Sequence, residues 1–401
     1  MGCILSHGQE NSIAMEAKLN ADDSKLFIKQ EIVYINTSDS ILSTIYLHNW
    51  ANSFKDRTTP LSKRFIKDFR KDLYFGKEEN LGKTTIKNIA LNFENARFNE
   101  LENKADILEV HLKKPLTTNE SIIISLTYTV KIPSAKFTGY GKTKEGFHLR
   151  FWYIAPAVYN QGWQLMSNLN IDDLYEKATD FAITLDLPKE YILESNLYQY
   201  KTDEENVNRY YLEGKKKTDI ILGINKKTLL KTFKTNDITI STDVFNEEIN
   251  DKAATEILSR ELQFIKTFLG KYPHKELYID RITQSKDPIY GLNQLPAFLR
   301  PFSDTFKWDV TMFKALSRKY IENTLLLNKR KDHWFLEGLQ NYLMIEYIEK
   351  FYPDTKLLGK VSNYWFIRSF NFSKLGFNDK YPFVYQYISR QFLDQSLNTP
   401  A

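Results

Sequence analysis

Hydrophobic positions recur along this chain with two different periods. From Lys25 to about Phe245 they form short β-rich runs set apart by turn residues, among them residues 25–35, 41–48, 107–112, 121–132, 147–154, 181–187 and 219–224. The run from Ser121 alternates in part and stops before Pro133, as expected of a strand with one face on a core. A charged, phenylalanine-spaced stretch, Thr58 to Phe75, interrupts the series and reads as a short helix or a long loop. Beyond Asp243 the period lengthens. Asn250 or Asp251 is placed to cap a helix that carries Ile257, Leu258, Leu262, Ile265, Phe268 and Leu269 and closes at Gly270. Residues 276–282 then read as a strand, and a loop follows around Pro288 to Pro301. Val310, Phe313, Leu316, Tyr320, Ile321 and Leu325 mark a second amphipathic helix. A third runs from about Trp334 to Phe351 and stops at Pro353. The predicted class is α+β, with an N-terminal all-β domain followed by an α-rich one.

Composition narrows this picture. The 401 residues suffice for two or three domains. A hydrophobic share of 42% and an aromatic share of 14% exclude a disordered chain. The net charge of +5, from 55 basic against 50 acidic residues, is spread too thinly to predict nucleic-acid binding. Cys3 is the single cysteine, so neither disulfides nor a thiolate zinc cluster can hold the fold. No apolar run approaches the ~18 residues of a membrane span. The opening Met1-Gly2-Cys3-Ile4-Leu5-Ser6 admits three readings: a signal remnant with a lipid-accepting Cys3, an acylated Gly2, or a plain disordered terminus. The expected organisation is a flexible stretch over 1–20, a β domain over 21–228 and an α-rich domain over 229–401.

Around the third helix stands Asp332-His333-Trp334-Phe335-Leu336-Glu337-Gly338, continuing to Tyr342. It resembles the Trp-x-x-Glu-Gly-x-x-x-Tyr stretch of the aminopeptidase N family of zinc peptidases, gluzincins with a thermolysin-like catalytic domain. Eighteen residues separate Arg318 from Glu337, the interval that in this family separates the second His of His-Glu-x-x-His from the ligand Glu. The preceding helix, Lys314-Ala315-Leu316-Ser317-Arg318-Lys319-Tyr320 through Asn323, is similar to His-Glu-x-x-His-Gln-Trp-x-x-Asn. Gly270-Lys271-Tyr272-Pro273 looks like the family's Gly-x-Tyr-Pro, and Gly291-Leu292-Asn293-Gln294 with Pro296 takes the place of its Gly-x-Met-Glu-Asn-Pro loop. A weaker likeness runs over Leu47 to Lys55. The resemblance implies a saddle-like β-sandwich domain and then a catalytic-type domain, here expected to be truncated because family members continue beyond the point reached at Ala401. Bacterial relatives are commonly exported, which implies a periplasmic or envelope location, with the cytoplasm as the alternative.

The residues at the implied zinc positions are wrong for zinc. A hydrolytic site needs three neutral or anionic ligands and an open fourth position for water. Lys314 and Arg318 occupy the two His positions, and neither ammonium nor guanidinium offers the metal a lone pair. Glu337 alone keeps its ligand type. Ala315 stands where the general base would be, and Gln294 where a Glu would read a substrate's amino terminus. Tyr381 is the best match to the family's assisting tyrosine, with Tyr385 and Tyr387 as competitors. None of the six His is followed by Glu, and His333 with Glu337 lacks a third ligand. A carboxylate left without its metal would be costly, so Arg318 is expected to pair with Glu337, with Lys314 nearby; the alternative is that all three side chains extend into an open solvated cleft.

The expected function is therefore that of a pseudopeptidase without zinc, catalytically inactive and used for binding or scaffolding with a peptide or protein partner. The alternative is an active metallopeptidase or other hydrolase with a rebuilt or partner-completed site. Lys314, Arg318 and Gln294 are the residues offered to an anion or a peptide carboxylate. The sequence leaves the oligomeric state open.

Overall fold

The computed structural model describes residues 11–293 and 295–393. The chain divides into two compact units, the first ending at Leu229 and the second beginning at Leu230.

The first unit is built on an eight-stranded sheet. Its order is Tyr198–Asp203, Val207–Lys217, Thr179–Pro188, Ser12–Asn20, Lys25–Ile35, Ser121–Lys131, Lys83–Leu91 and Glu94–Asn95. Only Ser12–Asn20 and Thr179–Pro188 run parallel, with Met15 opposite Ile183. Strict alternation buries Ile13, Met15, Ala17 and Leu19 from one strand and Leu26, Ile28, Ile32 and Tyr34 from its neighbour. Each of the Ile, Leu and Met side chains contributes about 1.5–3 kcal/mol. Two four-stranded sheets complete the unit: one contains Gly146–Arg150 and Ile221–Asn225, the other Leu42–His48 and Lys104–Leu116. A shared apolar core includes Leu47, Leu108, Leu149 and Leu222.

The sequence reading of 1–20 as a flexible terminus is corrected over Ser12–Asn20; residues 1–10 lie outside the described residues. Ser12–Asn20 lies inside the large sheet, hydrogen-bonded on both edges. Its period-two pattern, Ile13-Ala14-Met15-Glu16-Ala17-Lys18-Leu19, is the cause. Cys3 and Gly2, on which the acylation readings rest, lie outside the described residues. The Thr58 to Phe75 stretch holds a short helix, α1 (Pro60–Lys67), with Pro at its start and Thr59 accepting from the Ser62 N–H at 3.3 Å, and a loop beyond it.

The second unit opens on a three-stranded sheet, Lys231–Lys234, Thr239–Thr242 and Glu276–Ile279, the last pair parallel. Helix α2 (Asp251–Leu269) connects them; Asn250 caps it by accepting from the Ala253 N–H, and Gly270 ends it at φ +74°. A short helix, α3 (Arg281–Lys286), follows. Then come α4 (Asp304–Leu325), capped by Ser303, and α5 (His333–Phe351). Helix α6 (Lys380–Arg390) is the last element described. Phe264, Phe313 and Tyr347 lock α2, α4 and α5 together, the last two stacked at 3.8 Å. The fold is thus α+β, a large β-rich region followed by a helical one.

Candidate functional site

Helices α4 and α5 supply the positions singled out in the sequence. Lys314 and Arg318 are one turn apart on α4, so their side chains leave the same face. Glu337 sits in the first turns of α5. The Arg318 Nη1 donates to the Glu337 carboxylate, and its Nε donates to Glu322 at 3.0 Å. Burial works against the charged guanidinium, but the negative charges of Glu322 and Glu337 outweigh it and hold its pKa above the ordinary arginine value. The expected Arg318–Glu337 pair is therefore present, and it ties the two helices.

Glu322 is the centre of a larger group that the sequence reading missed. Besides Arg318 it faces Lys329 at 3.3 Å and Lys319 at 3.8 Å, and all three of Glu322, Lys319 and Lys329 are buried. Its signal was available, because Arg318 and Glu322 stand at i and i+4 on one helix. Lys314, expected beside the Arg318–Glu337 pair, is held elsewhere. Its ammonium donates to the Asp287 carboxylate and to the carbonyl oxygens of Asp287 and Pro288, the last two at 3.3 and 3.1 Å. An anion arriving at Lys314 or Arg318 would have to compete with carboxylates already in place. Gln294, the third residue offered to anions, lies outside the described residues.

The Lys314–Asp287 pair borders a second cluster. Gly291 adopts φ +88°, a conformation suited to glycine, and a β-carbon added there would lie 3.4 Å from the Lys380 Cδ and 3.6 Å from the Phe377 ring. Lys380 is 7% exposed. Among the described residues its amine has no hydrogen-bond partner, and it sits 3.6 Å from the centre of the Phe377 ring. Burial, and next the charge of Lys314, push its pKa down to about 7. Tyr381 is next to it, its pKa pushed up to about 12 by burial and by the charge of Asp287. Tyr385 and Tyr387 instead face solvent. Of the three candidate tyrosines, only Tyr381 is thus brought to the Lys314 side. Nothing in the sequence pattern marked Lys380, whose burial depends on the loops before α6.

The other motif segments meet at α4. Tyr320 donates its hydroxyl to the Gly270 carbonyl and packs on Tyr272 at 5.0 Å, joining the Gly-Lys-Tyr-Pro segment to the helix. Ala315 packs against the apolar core. Lys314, Arg318 and Glu337 do not fit a zinc ion: two of the three are cations, and their carboxylate partners are already engaged. Among the described residues, no three His, Cys, Asp or Glu side chains cluster as a metal site.

No protein-family model matches this sequence, and no curated protein does. Solved structures match the fold. The M1 zinc metallopeptidase from Deinococcus radiodurans aligns over 85% of this chain and 71% of its own, with 12% identity and a TM-score of 0.52. A Glu-to-Ala variant of the Deinococcus radiodurans enzyme bound to a Tyr-Ser-Ala substrate aligns over 90% of this chain and 75% of its own, with 12% identity and a TM-score of 0.51. At such identity the likeness is one of fold.

Proposed function

We propose that this chain, whose fold is shared with M1 zinc metallopeptidases, is a pseudopeptidase: it keeps the peptidase scaffold and serves in binding or scaffolding, with no zinc chemistry at the α4–α5 site. The observation that carries the reading is the Arg318 guanidinium held between Glu322 and Glu337. A guanidinium there satisfies the carboxylates that a dication would otherwise attract, and it presents only donors. Ala315 has no group able to take a proton from water. Gly291 lies against Lys380, which adds a second amine near Lys314, whose own ammonium is held by Asp287.

The partner proposed for this scaffold is a peptide or protein. Substrate selection by a free amino terminus would need an acidic group at the Gln294 position, where the sequence has an uncharged amide.

Elemental analysis of the purified chain after equilibration with zinc, run with an aminoacyl reporter assay, tests the reading. The expected result is no stoichiometric zinc and no zinc-dependent cleavage. One zinc per chain that is lost in Glu337→Ala, or cleavage that requires Glu337, would replace it with the rebuilt-hydrolase alternative.

A further inference from the structure

Between α5 and α6 the chain forms a loop that closes on itself. The Leu357 N–H donates to the Leu375 carbonyl at 2.9 Å, the Phe377 N–H donates to the Thr355 carbonyl at 2.8 Å, and Lys356 bridges to Gly376. Its base is seated firmly. Phe377 and Val361 are buried, and the Lys360 N–H donates to the Pro301 carbonyl at 2.8 Å. Gly359, at φ +54°, lies so close to Pro301 that an added β-carbon would fall 2.0 Å from its carbonyl oxygen. This is a pinned platform.

What it displays is unusual for a surface in water. Trp365 is 78% exposed, Phe370 54%, Phe366 52% and Phe372 48%, and Tyr364 is exposed beside them. Phe370 stacks on Phe372 with ring centres 5.4 Å apart, and Trp365 meets Phe366 edge-on at 5.7 Å, so the rings stand in pairs along the loop. Clustered exposed apolar side chains mark an interaction surface.

Charge decides what they interact with. Lys356, Lys360, Arg368 and Lys374 are all exposed in the same loop, and no Asp or Glu occurs from Lys356 to Asn378. The chain as a whole is nearly balanced, with 55 basic and 50 acidic residues, so this one-sign segment stands apart. A packed protein core would leave four cations to desolvate without partners. An anionic lipid surface takes both parts: headgroups attract the cations, and Trp, Tyr and Phe rest at the level where polar and apolar layers meet. No described helix is long and apolar enough to cross a membrane, so the contact would be peripheral.

We infer that the 356–376 loop is a docking surface for an anionic lipid bilayer, inserting Trp365, Phe366, Phe370 and Phe372 between headgroups bound by Lys360, Arg368 and Lys374. Co-sedimentation of the full chain with phosphatidylcholine vesicles, with and without about one-third phosphatidylserine, tests it. Binding is expected only with the anionic lipid, and is expected to weaken at about 1 M salt. Arg368→Glu with Lys374→Glu should lower partitioning at least about tenfold, as should Trp365→Ser with Phe370→Ser. All four side chains are exposed, so the fold should survive, with unchanged far-ultraviolet dichroism as the check. Phe75→Ser, an exposed aromatic of the other unit, should leave binding unaltered. Equal binding to neutral vesicles, absence of vesicle binding, or insensitivity to both loop variants would overturn the inference. So would light scattering in which the loop aromatics control self-association instead, since the face would then belong to a second copy.

Discussion

Removing members of the Glu322 group one at a time should give a ranked set of costs. Glu322 is 9% exposed and carries Arg318, Lys319 and Lys329, whose side chains are 19%, 10% and 5% exposed. Glu322→Gln removes the carboxylate that Arg318, Lys319 and Lys329 share in little water, with Arg318 keeping Glu337, and should cost about 3–5 kcal/mol, the range for a broken buried pair. Arg318→Met removes one cation but leaves Glu322 with two others, while Glu337, at 43% exposure, can hydrate. Its expected cost is about 1–3 kcal/mol. Glu337→Gln leaves Arg318 on Glu322 and should cost ~1 kcal/mol or less. A double-mutant cycle between positions 318 and 337 should return a coupling of about 0.5–1 kcal/mol that shrinks at high salt. Because two compact units need not unfold together, the readout is urea unfolding followed by amide exchange in α4 and α5. The reasoning fails if Glu337→Gln costs as much as Glu322→Gln, or if positions 318 and 337 show no coupling, since the pair would then contribute nothing between the helices.

Lys380→Met should stabilise the chain at pH 7. The folded amine titrates near 7 and the unfolded one near 10.5, so wild-type stability should climb with pH across that window, by at most ~5 kcal/mol, and the advantage of the variant should vanish above it, as urea unfolding at stepped pH would show. Glu261, fully buried in α2, has its pKa pushed well above the usual carboxylate range by burial and by the charge of Asp309. Its unfolded form ionises first, so its contribution to stability is lost as pH rises above the ordinary carboxylate value; Glu261→Gln should remove that slope in the same experiment. The triple change Lys314→His, Ala315→Glu and Arg318→His places two imidazoles one turn apart opposite Glu337 and should confer zinc binding, measured by elemental analysis, that Glu337→Ala abolishes.

The helices and most strands were legible because their periods were clean. Asn250 and Gly270 bounded α2 by cap chemistry, and the alternation from Ser121 marked a strand. Ser12–Asn20 was missed although its alternation is as regular. That alternation is the physical cause of the strand. At the site, the Arg318–Glu337 pair followed from charge and from the interval between the two residues. Asp287, Glu322 and Lys380 did not follow so readily. The partner of Lys314 comes from the end of α3, and Lys380 is packed by Gly291 and the Phe377 ring. Those juxtapositions depend on loop geometry, which carries no period to read.

A metal bound between α4 and α5 would cross-link them, and on the proposed pseudopeptidase reading the helices are held by other means. This unit has two that act at different depths. In the core, Phe313 stacks on Tyr347 and both pack on Phe264. Nearer the surface, Arg318 spans Glu322 and Glu337. The aromatic contact is insensitive to salt and pH, whereas the ion pairs are partly screened. The scaffold is therefore expected to persist when the ion pairs are weakened, with α4 and α5 loosening first at their solvent side, around Arg318 and Glu337, while the Phe313–Tyr347 layer stays protected. That order separates fold from chemistry: the Phe264–Phe313–Tyr347 layer that fixes the helices does not include Lys314, Ala315 or Arg318.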